Sequence, residues 1–88
     1  MATEDLAVMR SLPNVAVIQP ADGRETEQAV EYMLSHDGPV YLRLTRQKVE
    51  DVTPANSRFE FGRGRVLREG SDAAIVATGA VVGPALRA

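Results

Sequence analysis

The strongest constraint on this chain is a stretch of about thirty residues in which breakers separate three apolar segments of different period. Val15-Ala16-Val17-Ile18 is an unbroken apolar run with β-branched residues, which predicts a strand buried on both faces. Pro20 ends it. Asp22-Gly23-Arg24-Glu25 follows with capping-box spacing, Asp22 as N-cap and Glu25 at the third helical position, and Ala29, Val30, Met33 and Leu34 form one apolar stripe. The spacing predicts a helix over 23–36. His36-Asp37-Gly38-Pro39 stops that helix, and Val40-Tyr41-Leu42-Arg43-Leu44 resumes as a strand. A strand, a helix and a second strand at these lengths make a βαβ unit with parallel strands and a right-handed crossover.

What flanks this unit is less regular. Upstream, Thr3-Glu4-Asp5-Leu6 reads as a helix start with Thr3 as cap; Arg10 lies in the last turn, Pro13 stops the helix and Asn14 turns the chain. Downstream, residues 47–58 are polar with little apolar period and read as an extended connection. Phe59-Glu60-Phe61 then alternates, and Gly62 and Gly64 suggest a bulge between short strands. After a turn at Glu69-Gly70-Ser71-Asp72, Ala73-Ala74-Ile75-Val76-Ala77 predicts a strand, and Thr78-Gly79 opens a helix with Val82 and Leu86 on one side. The fold class is therefore α/β: a first domain part over 1–46 with a parallel βαβ unit in 15–45, a linker over 47–58 and the incomplete beginning of a second α/β domain over 59–88. One strand and one short helix cannot cover two sheet faces, so 59–88 is expected to need another chain or a continuation, and the 88 residues read as a fragment.

Composition removes several function classes. Cysteine is absent and there is one histidine, so disulfides, thiolate nucleophiles and cysteine-histidine zinc sites are excluded. His36 stands in the breaker cluster, where a favourable interaction with the helix C-terminus outweighs catalysis. No apolar run approaches the ~20 residues of a membrane span and the first residues are acidic, so neither a membrane partner nor a secretory leader is expected, and the cysteine-free composition suits the cytoplasm. Residues 51–88 are mildly basic, with Arg58, Arg63, Arg65 and Arg68 among Phe59 and Phe61. Glu60 and Glu69 dilute that patch, and arginines on the solvent face of a short amphipathic strand account for it without nucleic acid. The adjacent acids Glu4/Asp5 and Glu50/Asp51 suit caps and linkers better than acid–base catalysis, and Gly62-Arg63-Gly64 and Gly79 through Gly83 both lack the full spacing of a dinucleotide fingerprint.

One constellation remains. Ligands of open parallel sheets gather beyond the carboxyl ends of the strands, here Gln19-Pro20 and Thr45-Arg46-Gln47. The second combines a hydroxyl, a guanidinium fork and a side-chain amide, equipment for a phosphate or carboxylate. The alternative for Arg46 is a surface ion pair with Glu50 or Asp51.

Three groups of residues carry a family resemblance. Glu4-Asp5-Leu6-Ala7-Val8-Met9-Arg10-Ser11-Leu12-Pro13-Asn14, Gln19-Pro20-Ala21-Asp22-Gly23 with Glu25, and Gly38-Pro39-Val40-Tyr41-Leu42-Arg43-Leu44-Thr45-Arg46-Gln47 resemble, in order and spacing, the latter part of the pyrimidine-binding domain of transketolases. Phe61 to Gly70 and Ala74 to Gly79 resemble the linker and first strand of their C-terminal domain. The resemblance implies a thiamine-diphosphate and magnesium enzyme of the pentose phosphate pathway that moves a two-carbon ketol unit between sugar phosphates. It also implies a homodimer with active sites shared between subunits. It makes Arg46 the contact to the substrate phosphate, with Thr45 standing where the family has serine. No residue matches the family's diphosphate- and metal-binding stretch or its activating glutamate. The chain alone is therefore expected to be inactive and to bind no cofactor, with no catalytic or metal residue of its own. Its expected partners are the rest of the enzyme chain and a second subunit. Two alternatives stand beside this reading: a fragment of a deoxyxylulose-phosphate synthase, and a noncatalytic binding or assembly module built on the same fold.

Overall fold

In the computed structural model, which describes residues 3–88, the βαβ unit is present. Helix α1 covers Asp5–Arg10, strand β1 Ala16–Ile18, helix α2 Gly23–Ser35 and strand β2 Val40–Leu42. The strands pair in parallel with Ala16 opposite Val40, Val17 opposite Tyr41 and Ile18 opposite Leu42. Backbone bonds at each end extend the ladder, from Ala16 N to the Pro39 carbonyl at 3.1 Å and from Arg43 N to the Ile18 carbonyl at 2.9 Å. The chain turns into β1 through Asn14, which has a φ of 62°, a conformation that asparagine tolerates better than most side chains.

Helix α2 forms as its capping box dictates. Asp22 Oδ1 accepts from Glu25 N at 2.9 Å, the forward bond of a capping box, while Glu25 Oε1 reaches back one residue beyond the cap to accept from Ala21 N at 2.9 Å and ties the incoming chain to the first turn. Its apolar stripe is only half used, since Ala29 is buried whereas Leu34 is 84% exposed. Ile18, Ala21 and Ala29 are the buried apolar residues among those described. Two strands present two faces and two edges, more than one crossover helix can cover. For that reason β1 is fully buried at Ile18 alone, not on both faces along its length.

Several local expectations are corrected. Thr3 does not cap α1: its hydroxyl donates to the Glu4 carboxylate at 2.5 Å, and the N-cap position, Glu4, makes no side-chain capping bond. Strand β2 ends at Leu42 and leaves Leu44 exposed, because Ile18 is the last residue of β1 available to pair. Residues 59–64 form no pair of bulged strands; the chain turns at Glu60–Arg63, closed by Arg63 N on the Glu60 carbonyl at 3.2 Å. Ala73–Ala77 is not a strand either. A strand exists through its ladder, and no described segment lies alongside to supply one, so Ile75 and Val76 stand exposed, Val76 at 98%. The helix expected from Thr78 begins as a 3-10 turn over Gly79–Val81 and continues as helix α3, Val82–Arg87, with Pro84 in its first turn where no donor is lost.

Residues 47–58 carry no helix or strand, yet they do not hang free. The chain from Val52 to Phe61 runs along α2 in the same direction as the helix. Arg24 Nη1 donates to the Thr53 carbonyl at 2.7 Å, Gln28 Nε2 donates to the Ser57 carbonyl at 3.0 Å, and Gln28 Oε1 accepts from Phe59 N. At the far end Phe61 stacks on Tyr32, with ring centroids 5.0 Å apart. His36 closes this cluster: its ring stacks on Tyr32 and its Nδ1 lies 2.9 Å from the Tyr32 hydroxyl.

Candidate functional site

Because the strands are parallel and Ile18 is level with Leu42, the loops that follow them leave the same edge of the sheet. Asp22 comes four residues after the end of β1 and Arg46 four residues after the end of β2. A third segment arrives at this edge from the C-terminal side. Gly79, at a φ of 67°, lies so close to Gln19 that a Cβ there would stand 2.5 Å from Gln19 Nε2, and the Thr78 hydroxyl donates to the Gln19 carbonyl at 3.4 Å. The positive φ favours glycine, and any Cβ there would have to push the Gln19 side chain aside.

Arg46 is exposed on the second loop. The acids that could have neutralised it are engaged elsewhere: Asp51 Oδ2 lies 3.6 Å from Arg24 Nη2, and Glu50 pairs with Arg87 of α3. The surface ion pair weighed for Arg46 therefore does not form, and among the described residues Arg46 makes no hydrogen bond or ion pair. Its neighbours Thr45 and Gln47 are joined by a long contact, 3.5 Å from the Thr45 hydroxyl to the Gln47 carbonyl. Two clefts open nearby. One of about 380 Å³ lies at the carboxyl end of β1 and is lined by Gln19, Glu25, Thr53, Arg65 and Thr78 among others. A second of about 260 Å³ separates Gln47–Glu50 from α3. Arg46 lines neither and projects from the loop between strand and connection.

Arg43, three residues earlier, behaves differently. Its Nε lies 3.1 Å from Asp5 Oδ2, and the same oxygen accepts from the Tyr41 hydroxyl at 2.5 Å, so Arg43 and Tyr41 fasten β2 to α1. The Tyr41 hydrogen bond and, after it, the Arg43 charge hold the Asp5 carboxyl below the usual carboxylate range against the opposing effect of burial. The same bond pushes the Tyr41 phenol up.

Sequence reasoning missed the buried polar pair. Asp22 and Thr53 are 2% and 4% exposed, the two buried polar residues among those described. Asp22 Oδ2 accepts from Val52 N at 2.9 Å, from Thr53 N at 2.8 Å and from the Thr53 hydroxyl at 2.7 Å. Burial pushes the Asp22 carboxyl up, but the bonds from Glu25 N, the Thr53 hydroxyl, Thr53 N and Val52 N outweigh it and hold the group below its ordinary value. The one signal in the sequence is the carboxylate itself, where a serine or asparagine would cap the helix equally well.

Among the described residues no three His, Cys, Asp or Glu side chains converge where a metal ion could sit, and no helix is long and apolar enough to cross a membrane. The arrangement offers a free guanidinium beside a parallel-strand end, suited to holding an oxyanion.

The family described as "Transketolase, pyrimidine binding domain" matches residues 1–51. A 6-deoxy-6-sulfo-D-fructose transketolase subunit, SqwH, of Clostridium sp. is 41% identical over 88 residues, covering all of this chain and 27% of its own. A 1-deoxy-D-xylulose-5-phosphate synthase of Prochlorococcus marinus is 42% identical over 84 residues, covering 92% of this chain and 13% of its own. Among solved structures, a split-gene transketolase described as an inactive β4 tetramer superposes with a TM-score of 0.93 at 48% identity, over 99% of this chain and 29% of that one. The chain thus spans between an eighth and three tenths of the length of these relatives.

Proposed function

Since the chain belongs to the transketolase family, we propose that it supplies the substrate-phosphate contact, Arg46, to an enzyme that transfers a two-carbon ketol unit between sugar phosphates. The observation that carries this reading is the unpaired guanidinium four residues beyond β2, with both neighbouring acids committed to other arginines. A guanidinium in that state has lost no donor to the protein and can offer a fork of two charge-assisted bonds to a phosphate.

The family's members are thiamine-diphosphate enzymes. Among the described residues no three His, Cys, Asp or Glu side chains come together to hold that cofactor's metal. On this reading the part of this chain in the reaction is to hold the substrate's phosphate, and other residues of the enzyme would hold the cofactor that supplies the ketol-transfer chemistry. One relative of the chain is a transketolase subunit, and a similar solved structure is that of a split-gene transketolase. By the same reading this chain works with further enzyme residues and a second subunit, as a cytoplasmic homodimer of the pentose phosphate pathway with magnesium as the metal. The 88 residues alone are inactive.

Replacing Arg46 tests the reading. In the complete enzyme, Arg46→Ala should raise KM for ribose 5-phosphate by roughly 10- to 100-fold, the effect of one lost charge-assisted partner, and leave KM for unphosphorylated ribose within about twofold. Arg43→Ala should instead lower stability, since Arg43 is tied to Asp5. Equal weakening of both sugars by Arg46→Ala would make the residue structural and overturn the assignment.

A further inference from the structure

A helix N-cap needs one oxygen, and Asp22 brings two. Oδ1 alone satisfies Glu25 N; Oδ2 faces away from the helix and collects three donors from Val52 and Thr53, thirty residues later in the chain. Serine would cap α2 equally well but would leave those three donors without an acceptor, and asparagine would have to turn its amide hydrogens either on them or on Glu25 N. The carboxylate is therefore dictated by the connection and not by the helix.

That bond set has a consequence for Arg46. The segment after β2 is fixed at its start by Arg43 N on the Ile18 carbonyl. Its next buried anchor is the Asp22–Thr53 pair. Between the two lie the residues around Arg46, held only by the long Thr45–Gln47 contact and by the exposed pairs Asp51–Arg24 and Glu50–Arg87. Exposed pairs of this kind restrain a loop weakly. Without the Asp22 anchor the segment keeps only the Arg24 bond to the Thr53 carbonyl before Ser57, where Gln28 holds the chain, and the positions open to Arg46 multiply as this anchoring weakens.

We infer that Asp22 is a positioning residue for the loop that carries Arg46: by fixing Val52 and Thr53 it holds the guanidinium at the carboxyl edge of the sheet, ready for a substrate phosphate. This rests on the reading of Arg46 as the phosphate contact. Asp22 itself is buried, and both its oxygens are engaged by protein donors rather than turned to a substrate.

Asp22→Ser separates the two roles, because it keeps the cap and loses the anchor. In the complete enzyme it should raise KM for ribose 5-phosphate about tenfold, the loss of roughly one well-made hydrogen bond, with kcat and the KM for unphosphorylated ribose within about twofold. Amide exchange should accelerate over residues 45–51 and stay unchanged in the middle of α2. Thr53→Val, which removes one of the three donors, should move both readouts in the same direction by a smaller factor, and it decides the matter should Asp22→Ser not fold. Faster exchange with no selective loss for the phosphorylated sugar would reduce Asp22 to a structural tie, and unchanged exchange would show that it anchors nothing. Arg46→Ala run beside it separates the failures. If that variant is selective for the phosphorylated sugar and the Asp22 and Thr53 variants are not, this inference alone falls; if Arg46→Ala is unselective, the phosphate reading falls and takes this inference with it.

Discussion

Asp22→Asn changes one atom and little volume, which makes its effect on stability a direct measure of the carboxylate. Asparagine has one acceptor oxygen and one amide nitrogen, so it can serve only one side of the residue. Turned with its oxygen toward Val52 and Thr53, it keeps three bonds and presents hydrogens to Glu25 N, losing a cap worth about 1 kcal/mol. The three bonds that remain lose their charge assistance, about 1 kcal/mol each taken singly. They share one oxygen, so these losses do not add in full, and the neutral amide avoids part of the desolvation that burial imposes on an ion. The expected loss is about 2–3 kcal/mol, set against about 4–13 kcal/mol for a folded chain of this length. Urea unfolding of the chain followed by circular dichroism would read it, as would a fall in Tm of roughly 10–20 °C. Because hydrogen bonding holds the folded Asp22 pKa below the ordinary 3.8, the carboxylate's contribution is whole above that value. It disappears as pH falls through the lower folded value, so the gap between wild type and variant should close in acid. Asp5 titrates in both proteins and cancels from the difference. A gap within about 0.5 kcal/mol at pH 7, the size of an ordinary surface substitution, would refute the reasoning, as would a gap that stayed constant into strong acid.

Two further substitutions probe the contacts at either end of the site. Tyr41→Phe removes the hydroxyl that does most to lower the Asp5 pKa, so a carboxyl titration followed by NMR should show Asp5 moving up toward 3.8, with α1 less firmly held to β2. Gly79→Ala places a Cβ at a φ of 67° and forces Gln19 aside; the backbone strain alone is about 1–2 kcal/mol, which the same denaturation experiment should read.

The parts of the fold that were legible in the sequence are those set by neighbours in the chain. The α2 entrance is written in Asp22 and Glu25, and its exit in His36-Asp37-Gly38-Pro39, because caps and breakers act within one turn. The parallel pairing of β1 and β2 followed from the length of the crossover. Ala73–Ala77 misled for the complementary reason: β-branched residues state a preference, but a strand also needs a partner backbone, and nothing in the local sequence says whether one is present. The same limit applied to residues 47–58. Their polarity marks a connection, while the bonds that lay this connection along α2, from Arg24 and Gln28, join residues about thirty positions apart.

Asp22 belongs to both classes, and the two halves of one carboxylate were not equally visible. Oδ1 bonds three residues ahead and is implied by the capping box, whereas Oδ2 bonds thirty residues ahead and has no local signature. A cap position occupied by aspartate is chemically over-equipped, since serine or asparagine stabilises a helix start about as well and brings a smaller desolvation cost on burial. When such a residue is also fully buried, the surplus acceptor must be met by donors from elsewhere, or the ion would not remain charged in the interior. Here those donors come from the segment that follows Arg46, which is why the same aspartate that starts the crossover helix also sets where the loop at the opposite strand end returns to the protein.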